Sequence, residues 1–135
     1  MSIFQTLSKA AAGDKDAQIA MVRYATDLIG HPDTDAVFAL TEASVFARLA
    51  AAQGGDDERS LLACTLSDLG VALQAKGQGE LSDAMYGEAV AHVDAMAESG
   101  NVDADNSLPV ISGNASKAIM QNAKIFKDYW REENV

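Results

Sequence analysis

Glycine and proline residues divide this chain into segments of similar length, and this spacing is the feature that most limits its fold. The breaks lie at Gly13, Gly30 to Pro32, Gly54 and Gly55, Gly77 to Gly79, Gly100, and Pro109 to Gly113. Most intervals between them are about 15 to 22 residues, which is long for a strand and ordinary for a helix. The spacing predicts an all-α protein of about six helices.

Hydrophobic periodicity supports helices, because apolar residues recur at spacings of three, four and seven. No segment alternates apolar and polar residues for long enough to predict a strand. The predicted buried faces are Ala17, Met21, Ala25 and Leu28; Phe38, Val45, Leu49 and Ala52; Leu62, Leu66, Leu69 and Leu73; and Leu81, Met85, Ala89, Val93 and Met96.

Helix starts agree with the same division. Short acidic or hydroxyl side chains, which accept hydrogen bonds from the unpaired N–H groups of a first helical turn, precede most of the segments. They are Asp14 or Asp16, Asp33 or Asp35, Asp56 or Asp57, and Ser82 or Asp83. Short turns make consecutive helices antiparallel, so we predict stacked helical hairpins.

Two segments of the chain are related by an internal repeat with an offset of 46 residues. Residues 42–54 read EASVFARLAAAQG, and residues 88–100 read EAVAHVDAMAESG. Both begin with Glu-Ala and end in glycine, and both have small residues or methionine before the final turn. This similarity predicts that the two segments are equivalent halves of successive hairpins.

Several of these positions resemble the Sel-one-like repeat, a relative of the tetratricopeptide repeat. The resemblance covers about residues 7–104, and the family places an alanine-rich second helix before a glycine and opens the next helix with Asp-Ala-Gln. The matching residues are Ala43, Phe46, Ala50, Ala51, Gln53 and Gly54, then Ala89, Ala97 and Gly100, and Asp16, Ala17 and Gln18. The resemblance implies an α-α superhelix that binds other proteins on a concave surface lined by first helices.

The C-terminal segment completes this architecture. A stripe of Ile119, Ala123, Phe126 and Trp130 predicts an amphipathic helix at about 115–133 that caps the stack. We therefore expect residues 1–135 to form a single helical-repeat domain.

Composition limits the chemistry available to the chain. It has one cysteine and two histidines, with no His-x-x-x-His or Cys-x-x-Cys pair, so no metal site or cofactor is expected. No nucleophile elbow or phosphate-binding loop occurs, which predicts a non-enzyme. Cys64, among leucines, is predicted to be a small buried apolar residue. A single cysteine favours a reducing compartment, the cytoplasm.

Charge limits the partners. The net charge is −10, from 20 acidic and 10 basic residues, so nucleic acids and anionic membranes are unfavourable partners. The predicted function is a non-catalytic adaptor that binds another protein or peptide, with basic character as the sharper hypothesis. Predicted contact residues on first helices are Arg23, Tyr24, Asp27, Glu58 and Asp68. The alternatives are a self-associating structural protein that forms a homodimer and, less favoured, a small-ligand or metal-binding bundle.

Overall fold

The computed structural model describes residues 2–31 and 33–100, and every regular element in that part of the chain is helical. The predicted capping helix at about 115–133 lies outside the described residues. Within residues 2–31 and 33–100, five α-helices follow one another, with one short 3₁₀ turn at Leu28–Gly30. They are α1 (Ile3–Ala11), α2 (Lys15–Asp27), α3 (Ala36–Ala52), α4 (Asp56–Ala75) and α5 (Gly79–Glu98).

The predicted breaks within these residues are confirmed. Five glycines adopt positive φ angles between the helices: Gly13, Gly54, Gly55, Gly77 and Gly100. Such angles strain any residue with a Cβ, so glycine follows α1, α3, α4 and α5 where the chain leaves the helix. Helix α2 instead passes into the 3₁₀ turn at Leu28–Gly30. Of the alternative caps, the structure selects Asp14 for α2 and Asp35 for α3. Their carboxylates accept hydrogen bonds from the N–H groups of Ala17 and Val37, both at 2.9 Å.

The chain divides within α4 into two compact units, Met1–Thr65 and Leu66–Val135. In the first unit, α2 packs against both α1 and α3. A small cluster of Ala10, Ala17 and Met21 lies between these helices, and Ile3 and Phe46 pack against it. Side-chain amides form hydrogen bonds that connect the chain turns next to this cluster.

Gln18 is the central residue of these hydrogen bonds, and it is only 2% exposed. Its Nε2 donates to the carbonyl of Ala10 at 3.0 Å, and its Oε1 accepts from Nε2 of Gln53 at 2.8 Å. Gln53 also donates to the carbonyl of Gly13 at 3.1 Å. This Gln18 junction connects the end of α1, the start of α2 and the end of α3.

The predicted buried face of α3 is wrong. Phe38, Val45 and Leu49 are 66%, 50% and 44% exposed. The physical reason is the close approach of the helices: small residues let two backbones come together, and large ones hold them apart. The buried face of α3 is instead Ala39, Leu40, Ala43, Ser44, Ala47 and Ala50.

The predicted faces of α2 and α4 are largely confirmed. Ala17, Met21 and Ala25 are buried, as are Leu62, Leu66, Leu69 and Leu73, whereas Leu28 is half-buried. On α4 the prediction that Cys64 is buried is wrong, because Cys64 is exposed. It lies two residues from both Leu62 and Leu66, and two residues on an α-helix amount to about 200° of rotation. Cys64 therefore lies on the opposite face.

In the second unit, α4 and α5 approach closely at Gly70. A Cβ added there would lie 3.0 Å from Cε2 and Cζ of Tyr86, and the Gly70 carbonyl accepts a buried hydrogen bond of 2.6 Å from the Ser82 hydroxyl. Ser82 was one candidate for the start of α5, but α5 begins at Gly79. Leu81 was predicted to be buried and is 55% exposed. Met85 is half-buried, and Ala89, Val93 and Met96 are buried as predicted.

The burial pattern of α3 recurs in α5 at the offset of 46 residues. Both segments end at a glycine of similar φ, 95° at Gly54 and 92° at Gly100. Four corresponding pairs are at most 4% exposed: Ala43 and Ala89, Ser44 and Val90, Ala47 and Val93, and Ala50 and Met96. The two segments thus share a buried face within their respective units.

Gly70→Ala is expected to lower the free energy of unfolding by about 1 kcal/mol. Alanine gains up to about 1 kcal/mol of helix propensity over glycine, but crowding a buried ring typically costs about 1–3 kcal/mol. Gly79→Ala is the control, since no atom lies within 4 Å of its Cβ position. Urea denaturation should separate the two variants. A Gly70→Ala protein as stable as Gly79→Ala would contradict the close contact with Tyr86.

Gln18→Ala is expected to destabilise the chain by about 1–3 kcal/mol, because it removes two buried hydrogen-bond partners at once. Gln74→Ala, at an exposed position of α4, should change the free energy of unfolding by no more than about 0.5 kcal/mol. Thermal and urea denaturation of both variants provide the measurement. Equal effects would show that the Gln18 junction contributes nothing beyond an exposed amide.

Candidate protein-binding face on α2

The candidate site is the outer face of α2, which follows from the way this helix is buried. Its inner face consists of Ala17, Gln18, Met21, Val22 and Ala25. A period of 3.6 residues leaves the opposite positions on the outside. These six residues line an open groove of about 540 Å³: Asp16, Ile19, Ala20, Arg23, Tyr24 and Asp27. We call this surface the α2 face.

The α2 face combines an aromatic ring with charges of both signs. Tyr24 is 46% exposed, and Arg23 lies beside it in the sequence. Asp16 and Asp27 lie at opposite ends, eleven residues apart, which is about 16 Å along a helix. Within residues 2–31 and 33–100, Asp16, Arg23 and Asp27 have no ion-pair partner. Their charged groups are therefore available to another molecule.

Three of the five predicted contact residues, Arg23, Tyr24 and Asp27, lie together on the α2 face. The other three residues of the α2 face, Asp16, Ile19 and Ala20, were not among the predicted contact residues. Asp16 was predicted as a possible helix cap and as part of the Asp-Ala-Gln match, whereas Asp14 caps α2. The sequence could have indicated these residues, because they occupy the positions of α2 that lie opposite its buried face.

Glu58, the fourth predicted contact residue, has a structural partner in the first unit. Its Oε1 lies 3.0 Å from Nζ of Lys15, and Lys15 also donates to the carbonyl of Gly54 at 3.2 Å. The Glu58 carboxylate occupies the space that a Cβ on Gly55 would need. Its hydrogen bond with Lys15 holds the pKa of Glu58 below its ordinary value of 4.5. This ion pair links the start of α2 to the start of α4.

Asp68, the fifth, lies on α4 in the second unit, close to Tyr86. Partial burial raises the pKa of Asp68 above its ordinary value of 3.8. Burial also raises the pKa of Tyr86, and the negative charge of Asp68 adds to that rise. Tyr86 itself is buried, whereas Asp68 is exposed on α4.

Among residues 2–31 and 33–100, no three His, Cys, Asp or Glu side chains are grouped to hold a metal ion. Over the same residues, no helix has the length and apolar character needed to cross a membrane. His92 is buried in α5, and His31 is exposed after the 3₁₀ turn.

Comparisons with protein-family models, with curated proteins and with solved structures give no match for this chain.

Glu58→Gln is expected to reduce stability in a pH-dependent way. Because the pKa of Glu58 is lowered in the folded protein, its stabilising effect is fully present above pH 4.5 and is lost as the pH falls through the folded-state pKa. The difference in unfolding free energy between wild type and Glu58→Gln should therefore shrink on acidification below pH 4.5.

The control for this prediction is the same substitution in a Lys15→Gln background, which completes a double-mutant cycle. Without the Lys15 ammonium, Glu58→Gln should have a smaller effect at neutral pH. Urea denaturation at a series of pH values measures both differences. An effect of Glu58→Gln that is independent of Lys15 would rule out the ion pair as its source.

Proposed function

We propose that this protein is a non-catalytic binding module that captures a protein or peptide on the α2 face. The observation that carries the proposal is the combination of an exposed tyrosine, an arginine and two carboxylates that lack ion-pair partners in the described residues. Tyrosine and arginine are over-represented among the residues that dominate binding energy at protein interfaces. A solvated charge also keeps its full capacity to pair with a ligand.

The partner proposed is a segment with basic character. Asp16 and Asp27 bound the α2 face at a separation of about 16 Å, and the net charge of −10 attracts a cationic chain. An extended peptide covers that distance in about five residues. Two basic residues at that spacing would reach both carboxylates, and an apolar residue between them would lie on Ile19 and Ala20.

The architecture that we propose for this role is a short α-α superhelix of the Sel-one-like kind. In this arrangement α2–α3 and α4–α5 are successive hairpins, and the segment at about 115–133 is a cap. The shared burial pattern of α3 and α5 supports the repeat. First helices line the binding surface of such repeats, and α2 is a first helix in this assignment. The whole chain would then act as one repeat domain in the cytoplasm, without a cofactor.

Tyr24→Ser is expected to weaken capture of the partner by about tenfold or more, as for a central interface residue. The first measurement is affinity capture from a native cell extract, with mass spectrometry of the retained proteins. Leu81→Ser is the control, since Leu81 is 55% exposed and lies outside the α2 face. Proteins retained by wild type and by Leu81→Ser, but not by Tyr24→Ser, are the candidate partners.

A direct titration of the best candidate then tests the charges. Asp16→Lys and Asp27→Lys should each raise the dissociation constant of a basic partner and reduce its dependence on salt. Asp57→Lys, at an exposed position in the first turn of α4, is the matched charge control. If no protein distinguishes Tyr24→Ser from Leu81→Ser, or if Asp57→Lys acts as strongly as Asp27→Lys, the α2 face is not the binding site.

A further inference from the structure

The outer face of α3 carries large apolar side chains that the described structure leaves in contact with solvent. Phe38, Val45 and Leu49 are 66%, 50% and 44% exposed, and their spacings of seven and four place them on one side of the helix. We call these three residues the α3 stripe. Isolated exposed apolar residues are common on soluble proteins, whereas an aligned set including phenylalanine marks an interaction surface.

The internal repeat provides a comparison for this surface. At an offset of 46, Phe38, Val45 and Leu49 correspond to Ala84, Ala91 and Ala95 of α5. Ala91 is 6% exposed, and the other two alanines are half-buried. In each of the three pairs of corresponding positions, the larger apolar side chain is therefore the more exposed one. Exposed apolar area costs roughly 25 cal/mol per Å², so this reversal indicates that the α3 stripe is covered when the protein functions.

The charge on α3 favours a second copy of this chain, rather than a basic partner, as the molecule that covers the α3 stripe. Helix α3 carries one acidic and one basic residue, Glu42 and Arg48, and α1 carries only Lys9, whereas the whole chain has a net charge of −10. A basic partner finds no excess of carboxylates on α3 to pair with. Two copies of this strongly acidic chain repel each other over most of their surface, but α3 is neutral. The α3 stripe is thus a surface on which two copies can meet without that repulsion.

We propose that the α3 stripe is the contact surface of a homodimer, in which α3 packs antiparallel against α3 of a second copy. Phe38 and Ala52 lie seven residues on either side of Val45. A two-fold axis at Val45 therefore places Phe38 against the partner subunit's Ala52, and Leu49 against the partner subunit's Thr41. Both Thr41 and Ala52 are exposed and small, so Phe38 and Leu49 each meet a smaller side chain, and Val45 meets the partner subunit's Val45 at the axis of this isologous interface.

The test is sedimentation equilibrium of the full chain from low micromolar to millimolar concentration. Wild type should shift from the mass of one chain toward that of two. Val45→Glu should raise the dimer dissociation constant by at least about tenfold, because it places two carboxylates together at the axis. Val71→Glu is a matched control, since Val71 is a 58% exposed valine on α4, and it should leave the constant unchanged.

Charge complementation separates a lost contact from a misfolded protein. Val45→Glu and Val45→Lys should each be monomeric, and an equimolar mixture should form the mixed dimer, because opposite charges then meet at the axis. A wild type that remains monomeric at all concentrations would overturn the proposal. So would equal effects of Val45→Glu and Val71→Glu. A melting temperature of Val45→Glu below that of wild type at concentrations where wild type is itself monomeric would also overturn it, because the chain itself would then cover the stripe. The outcome is independent of the α2 face.

Discussion

The buried amide of Gln18 is the interaction on which the first unit depends. An amide that is 2% exposed must find hydrogen-bond partners within the protein. Gln18 finds them on two other segments, the Ala10 carbonyl that closes α1 and the Gln53 side chain that follows α3. Since Gln53 also binds the carbonyl of Gly13, three chain segments are fixed by one pair of side chains. The Lys15–Glu58 ion pair extends the same connection to the start of α4.

Once these turns are held together, the separation of the helices is decided by the residues between them. Alanines occupy most of the buried face of α3, and Ala43, Ala47 and Ala50 are fully buried. They allow α2 and α3 to approach closely. A helix that presents its small residues inward must present its large ones outward. The α3 stripe is therefore a direct consequence of the packing that makes the hairpin, and not a separate feature added to it.

The first unit consequently has two outer surfaces of different character. The α2 face is polar, with an exposed tyrosine and charges that have no ion-pair partner among the described residues. The α3 stripe is apolar and lies on a neutral helix. These chemistries suit different partners: charged groups give selectivity and speed of association, while apolar area suits a contact that excludes water. A binding module that is also a dimer would use both surfaces and present two α2 faces.

The local conformation of this chain was determined by its sequence. Glycines at the turns, the caps Asp14 and Asp35, and the spacing of leucines on α4 act over a few residues, and the described structure has helices where they indicate, although α5 begins before its predicted start at Ser82 or Asp83. The 46-residue offset pairs Ala43 with Ala89 and Ala50 with Met96, and all four are buried, although the predicted buried face of α3 contained neither Ala43 nor Ala50. Three residues of the α2 face followed from the choice of first helices.

Only the tertiary structure decided which face of each helix is buried when small and large apolar residues compete. Hydrophobicity favours burying Phe38 and Val45, but the buried face of α3 consists of Leu40 and small residues, most of them alanine. Likewise, the rotation of α4 places Cys64 on an exposed face. The position of Glu58 is set by its ion pair with Lys15. Such outcomes depend on the separation of helices and on partners distant in sequence, and no local pattern contains that information.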